Sequence, residues 1–520
     1  MDLRRPRASM IAGNDATRQN PPTEPQPTVS TRETPVTNAG LGGRASRGAA
    51  VTMGGQLARI VVQMVGVIIL ARLLAPDDYG LLAMVTAIVG AGEILRDFGL
   101  GMAAIQSRSL SKDQRNNLFW INSGIGLVIA SIVFAASWLI AGLYGDDRLL
   151  QITQVMSSIF VLNGLASQYR AHLQRSLKFT WLAVTEVTSL AVGIVTGVAM
   201  ALAGFGYWSL VGQQVGQALV ALVLVAIASR WLPGAYRRSA PMRELLQFGW
   251  NLVASQLLIY ASKNTDSVVI GLQFGAGPLG LYNRAFQLLT LPLNQLNAPA
   301  TRVAVPVLSR LQDETSRFSQ YLLTGQTAIL HVILAIFALL CALAEPVVSV
   351  LLGPQWAESV PLFRILSIAG VFQAAGYATL WGFLSLGLTR ANLHFSLLTR
   401  PLLIGAVIVG AFWGIEGVAW GYAVGMAFTW PIGLLWLRRV SDAPVRAMFL
   451  NGVRGTVAYA IAGAAAYLLA SWLLPTSGDV VRLVGGALAM LIVLGVEFLV
   501  WPAFRRDIRM LLKTIRLMRK

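Results

Sequence analysis

Three runs of polar side chains recur at helical spacing inside otherwise apolar sequence. Thr52, Gln56, Arg59 and Gln63 follow one another at intervals of 4, 3 and 4. Gln256, Tyr260, Lys263 and Asp266 follow at 4, 3 and 3. Asn283, Gln287, Thr290, Asn294, Asn297 and Thr301 follow at 4, 3, 4, 3 and 4. Helical geometry puts each run on one face. Amides and hydroxyls there donate and accept hydrogen bonds, and Arg59 and Lys263 add positive charge. A cavity lined this way suits an anionic substrate, such as a diphosphate head group, and suits a cationic drug poorly. Nothing points to a catalytic residue or a metal centre. The one cysteine, Cys341, lies in an apolar run, and His172, His331 and His394 are far apart, so neither a disulfide framework nor metal-ligand spacing arises.

The elements that must carry these runs are membrane helices. Of 520 residues, 55% are hydrophobic and 12% charged, about half the ~25% of a soluble domain. That excludes an ordinary cytosolic enzyme, a disordered chain and a fibrous one, and it argues against nucleic acid as a partner despite the net charge of +18. Apolar segments, each near the ~20 residues needed to cross a bilayer, fall at 51–74, 80–96, 118–143, 149–168, 181–203, 207–229, 247–272, 280–303, 321–352, 359–387, 392–413, 417–437, 455–474 and 480–502. The spacing predicts an all-α polytopic membrane protein of about fourteen helices, with a kink or interfacial turn in the long ninth span. Its expected organisation is a disordered tail (1–47), an N-terminal six-helix bundle (48–230), a linker (231–246) and a C-terminal six-helix bundle (247–440). Two additional helices (450–502) and a basic tail (503–520) follow.

The connections alternate in charge. One set is short and poor in cations, as in Pro76-Asp77-Asp78-Tyr79, Gly145-Asp146-Asp147-Arg148 and Gly414-Ile415-Glu416. The other is basic, with Arg108, Lys112 and Arg115, then Arg170, Arg175 and Lys178, then Arg237 and Arg238, and later Arg438 and Arg439. The positive-inside rule puts the basic set in the cytoplasm, and an even helix count puts both termini there too. The run from Arg505 to Lys520 alternates basic and apolar residues, as an amphipathic helix along an anionic leaflet would.

The two six-helix halves read as a repeat. Gln56, Gln63 and Gly80 correspond to Gln256, Lys263 and Gly280 at an offset of 200, and Gly206-Tyr207-Trp208 answers Gly417-Val418-Ala419 at an offset of 211. Six helices per half give both halves one orientation, with a central cavity between parallel bundles. The first and seventh helices are then expected to face each other across it. Lys263, about 16 residues into its span, sits near mid-membrane, where a charge costs at least ~2.5–3.5 kcal/mol and marks a functional candidate. Arg364 is expected at the outer part of the cavity, Arg284 at a membrane interface, and Glu93 in a pair with Arg96. The competing role for Lys263 is an ion pair with Asp266.

The fourth set of residues carries a resemblance. Ala71-Arg72-Leu73-Leu74-Ala75-Pro76-Asp77-Asp78-Tyr79-Gly80-Leu81 resembles the end of the first helix of bacterial polysaccharide flippases, of the multidrug/oligosaccharidyl-lipid/polysaccharide superfamily. Asp97-Phe98-Gly99-Leu100 resembles the loop after their second helix, and Asn264-Thr265-Asp266 with Leu279-Gly280-Leu281-Tyr282-Asn283-Arg284-Ala285 their seventh-to-eighth helix region. Pro306, Ser309-Arg310-Leu311-Gln312 and Leu352-Gly353-Pro354-Gln355-Trp356 extend the match, over roughly 48–440. The resemblance implies a multi-pass protein of the bacterial cytoplasmic (inner) membrane that moves undecaprenyl-diphosphate-linked oligosaccharide across it by alternating access. It implies a cationic cavity, no cofactor beyond Na+ or H+ coupling, and an acidic position at Asp266. The cavity set is then Gln56, Arg59, Gln63, Gln256, Tyr260, Lys263, Asn283, Gln287, Asn294 and Arg364. Membrane lipid, a polysaccharide polymerase and glycosyltransferases are the partners such a step implies. The alternative is an ion-coupled drug or small-molecule exporter of the same superfamily, which would want unpaired carboxylates in the cavity. A membrane glycosyltransferase would need a long catalytic loop, and no loop here is long enough.

Overall fold

A computed structural model of the chain describes residues 38–97, 100, 101, 104, 110–238, 242, 260 and 263–518. Its side chains are described between Gly54 and Leu512, Asp97 excepted. The chain divides into two units, Met1–Arg47 and Gly48–Lys520. In the first, residues 38–47 are helical, and residues 1–37 of the expected tail lie outside the described residues, as do Gln256 and the side chain of Thr52.

The second unit is built from helices. α1 (Asn38–Leu73) enters it, followed by α2 (Pro76–Asp97), α3 (Lys112–Tyr144), α4 (Arg148–Arg175), α5 (Phe179–Leu202) and α6 (Trp208–Ser229). After the linker come α7, described over 263–274, and α8 (Ala276–Arg310). Then come α9 (Thr315–Ala342), the short α10 (Ala344–Leu351), α11 (Ser359–Ser385), α12 (Thr389–Gly410) and α13 (Gly414–Val440). α14 (Val445–Leu468), α15 (Asp479–Val500) and α16 (Pro502–Met518) complete it. Among the described residues, eleven stretches are long and apolar enough to cross a membrane, and one of them, Thr389–Val440, holds both α12 and α13. α8 is long enough at 35 residues, but it carries the amide seam and three internal prolines, Pro292, Pro299 and Pro306. Proline removes backbone hydrogen bonds, and a protein-lined environment makes that tolerable at membrane depth. The expected kink in the ninth span is a full break at Leu343, where α9 ends and α10 begins.

Local chemistry sets the helix ends. Ser111 caps α3 in a reciprocal arrangement with Gln114, and Gly145 ends it in the left-handed conformation at φ +69°. The linker then runs back along the start of α3. The amide of Asn117 donates to Arg237 O and accepts from Arg237 N, and Trp120 Nε1 donates to Gly234 O at 2.9 Å.

Within the first group, α3 packs on α4, α5 on α6, and α4 on α2 and α6; within the second, α11 packs on α8, α9 and α13, and α12 on α13. The groups meet where α2 crosses α8. A Cβ built on Gly80 would stand 1.7 Å from Ala276 O, and one on Gly280 would stand 1.9 Å from Pro76 O. The backbones therefore touch, which only glycine permits. Pro76 and Gly80 meet Ala276 and Gly280 reciprocally at the repeat offset of 200, so the repeat is also a crossing related by an approximate two-fold.

The extra helices are tied to the second group at both ends. Arg482 reaches Glu345 at 2.8 Å and Asp479 accepts from Ser349 at 2.5 Å. At the other end α16 turns back, and the buried Asp507 meets Arg454 at 2.6 Å with His331 at 3.8 Å.

Candidate substrate cavity

Three adjoining cavities, of about 370, 250 and 350 Å³, lie beneath the α2–α8 crossing. The first is walled by Thr86, Tyr260, Asn264, Ser267, Asn283 and Gln287, among others. The second is walled by Arg59, Gln63, Gln213, Gln214, Gln217 and Arg284, with Tyr79 and Gln287. The third runs between α4, α5 and α6, past Asn163, Arg170 and Glu186. Gln214 borders all three.

Five of the expected cavity residues are brought to these walls. Arg59 and Gln63 come from α1, Tyr260 from the seventh span, and Asn283 and Gln287 from α8. Tyr260 also joins the groups, because its hydroxyl donates to Thr86 O at 3.0 Å and its ring covers Gly90. Arg59 pairs with Glu186 at 3.4 Å, both half-exposed to the cavity. Glu93 and Arg96 pair at 2.8 Å as expected, and Asn163 donates to the same carboxylate.

Others are placed elsewhere. Gln56 is exposed and lines none of the three cavities, because its neighbour Gly55 takes the face against Ala183 of α5. Asn294 is exposed because Leu293 takes the inward position. Arg364 turns away from the centre. Its Nε donates to Cys341 O at 3.4 Å and its guanidinium lies 5.3 Å from the ring of Tyr467, so it faces α9 and α14. Lys263 is exposed and borders none of the three cavities. Asp266, one turn on, is 5% exposed and bonds away from Lys263, accepting from Tyr282 Oη at 2.8 Å and from Ser267 N at 2.9 Å.

The structure adds residues that sequence reasoning missed. Arg284, expected at an interface, has its guanidinium 3.7 Å from the ring of Tyr79 and donates to Gln287 at 2.5 Å. It is a second cation of the cavity, opposite Arg59 in origin. Gln213, Gln214 and Gln217 give little sign of a site in the sequence because α6 reads as apolar around them. Three amides within five positions was the available signal.

The crossing end is sealed. Ala71 O accepts from Gln355 Nε2 at 2.7 Å and from Trp356 Nε1 at 2.8 Å, Arg72 donates to Val350 O, and Tyr79 packs edge-on against Trp356. These contacts join the groups at the end that carries the cation-poor loops.

A family model described as "Polysaccharide biosynthesis protein" matches residues 69–361. The chain belongs to this family. The matched region of the polysaccharide biosynthesis family runs from the end of α1 past α10 and holds the crossing, the α6 glutamines, Asp266 and Arg284. Relatives include the lipopolysaccharide biosynthesis protein WzxC of Escherichia coli (strain K12), 26% identical over 70% of this chain and 76% of its own length. The succinoglycan biosynthesis transport protein ExoT of Rhizobium meliloti (strain 1021) is 28% identical over 69% of this chain and 73% of its own. Among solved structures, lipid II flippase MurJ in an inward closed conformation superposes with a TM-score of 0.65, covering 86% of this chain and 99% of its own at 12% identity. An inward-facing multidrug MATE transporter follows at 0.58, covering 77% and 99% at 15% identity. This member of the polysaccharide biosynthesis family thus shares the fold of these two structures, and it is a multi-pass membrane protein.

Proposed function

We propose that the chain is a flippase that moves polyprenyl-diphosphate-linked oligosaccharide across the bacterial cytoplasmic membrane by alternating access. One observation carries this reading: a polar cavity at membrane depth, holding Arg59 and Arg284 and sealed at one end by a crossing of two repeat-related helices. Lipid cannot satisfy such groups, so the cavity serves a polar passenger. Two guanidiniums suit a diphosphate, since each presents several donors to its oxygens. The relatives' names, in lipopolysaccharide and succinoglycan biosynthesis and transport, support the oligosaccharide.

The basic loops and both termini face the cytoplasm in this reading, so the sealed end is the outer one and the arrangement is inward-facing. Transport then requires the α2–α8 contact to part. Asp266 is the candidate coupling site for Na+ or H+, because it is a buried carboxylate beside the cavity helices. A polysaccharide polymerase and glycosyltransferases are the partners that would consume and supply the substrate.

The test is the lipid-linked glycan pool of a strain lacking the protein. Mass spectrometry of extracted polyprenyl-diphosphate lipids, with accessibility measured in spheroplasts, is expected to show one complete oligosaccharide-lipid accumulating on the cytoplasmic side. An unchanged pool with intact surface glycan would move the assignment to an exporter.

A further inference from the structure

The second cavity is lined by five glutamines from three helices: Gln63 of α1, Gln213, Gln214 and Gln217 of α6, and Gln287 of α8. Gln287 accepts from Arg284. Among the described residues, no protein group hydrogen-bonds the amides of Gln63, Gln213, Gln214 or Gln217. Each amide offers two donors and an acceptor, and leaving such groups bare at membrane depth is costly. The stems of Gln213 and Gln217 also sit in a close helix contact. A Cβ on Gly193 of α5 would stand 2.8 Å from Gln217 Cβ, and one on Gly197 would stand 3.1 Å from Gln213 Cβ. These two glycines let α6 approach α5 closely at Gln213 and Gln217, two of the residues that line the second cavity.

We infer that the α6 glutamines form a carbohydrate subsite that reads sugar hydroxyls, separate in role from the arginines that take the diphosphate. The inference rests on the flippase reading and names the part of the substrate this wall recognises. A diphosphate only accepts hydrogen bonds, so it would leave the amide carbonyls facing like charge. A pyranose hydroxyl both donates and accepts, and adjacent hydroxyls match the two ends of one amide. Neutral amides also leave the charge of Arg59 and Arg284 available to the phosphates. Gln214 borders all three cavities and is therefore the residue a passing sugar meets throughout.

The experiment uses the full-length chain in a detergent without a sugar head. It is incubated with bare undecaprenyl diphosphate mixed with the lipid-linked saccharide pool extracted from cells lacking the protein. Co-purified lipids are counted by mass spectrometry. Wild type is expected to enrich glycan-bearing over bare lipid by about tenfold, the worth of a few neutral hydrogen bonds. The combined Gln213→Leu, Gln214→Leu and Gln217→Leu variant should bring that ratio to about one while still retaining bare lipid. Arg284→Gln should lower retention of both lipids alike. A triple variant that keeps the wild-type ratio overturns the subsite and leaves the flippase reading standing. Wild type that retains neither lipid overturns the flippase reading and the subsite with it. If the triple variant retains no lipid at all, Gln214→Leu alone is read instead. A ratio reduced about threefold supports the subsite, and an unchanged ratio overturns it.

Discussion

Arg59 and Arg284 define the electrostatics of the cavity, and they are held differently. Arg59 faces Glu186 at 3.4 Å with both side chains half-exposed, so the pair contributes little stability and leaves the guanidinium available. Arg284 is fixed by the Tyr79 ring and by Gln287, which orients it before a ligand arrives. Arg284→Gln is expected to weaken binding of a diphosphate-bearing lipid by about 10- to 100-fold, the range for losing a charge-assisted hydrogen bond; titration with undecaprenyl diphosphate checks it. Asp266 has a different setting, with its carboxylate turned to Tyr282 and Ser267. If it couples an ion, Asp266→Asn abolishes the pH or sodium dependence of transport in proteoliposomes, and an unchanged dependence leaves it a structural partner of Tyr282.

In the proposed cycle, the crossing of α2 and α8 is the element on which closure turns. Backbone meets backbone at Gly80 and Gly280, so one added methyl acts as a wedge. Gly80→Ala and Gly280→Ala are each expected to part the helices at that end. The check is an Asn283→Cys reporter in a Cys341→Ser background, whose labelling by an impermeant maleimide from outside should rise about tenfold, as for a shift of ~1.4 kcal/mol in the closed-to-open balance. The α10–α15 tie gives a second element-level expectation. The bond from Arg482 holds the Glu345 carboxyl below the usual glutamate range. A depressed folded value means that the tie stabilises at pH above the unfolded value and is lost as pH falls through the folded one. Melting temperature should therefore fall on acidification below the ordinary carboxylate range, and Glu345→Gln should flatten that part of the profile.

At the scale of the whole molecule, the extra helices belong to the second group. They are bound to it at one end through Glu345 and Arg482, and at the other through Asp507, Arg454 and His331. Any rocking of the groups about the crossing carries α14, α15 and α16 with the second. Breaking the buried tie with Asp507→Asn leaves Arg454 without its carboxylate. The expected cost is about 2–3 kcal/mol, below the full range for a buried pair because Arg454 keeps some exposure. A lower melting temperature and faster tryptic cleavage after Arg505 and Arg509 would register it.

The sequence by itself determined the helices, the charge alternation of their connections and the repeat at offset 200. Each follows from short-range pattern: hydropathy over one span, charge between spans, and glycine at matched positions. It also placed Arg59, Gln63, Tyr260, Asn283 and Gln287 at the cavity, because a polar face at helical spacing has to meet protein or water. Which neighbour each face meets was decided only by the tertiary structure. Arg364 reads as a cavity residue and Arg284 as an interface residue, yet α11 turns the first toward Tyr467 and α8 turns the second onto Tyr79 beside the cavity. The α6 glutamines interrupt no hydropathy pattern, and they become a wall only when Gly193 and Gly197 bring α5 close. Helix rotation and crossing depend on contacts between residues of different helices, some of them about 200 positions apart, and one-helix periodicity carries no information about them.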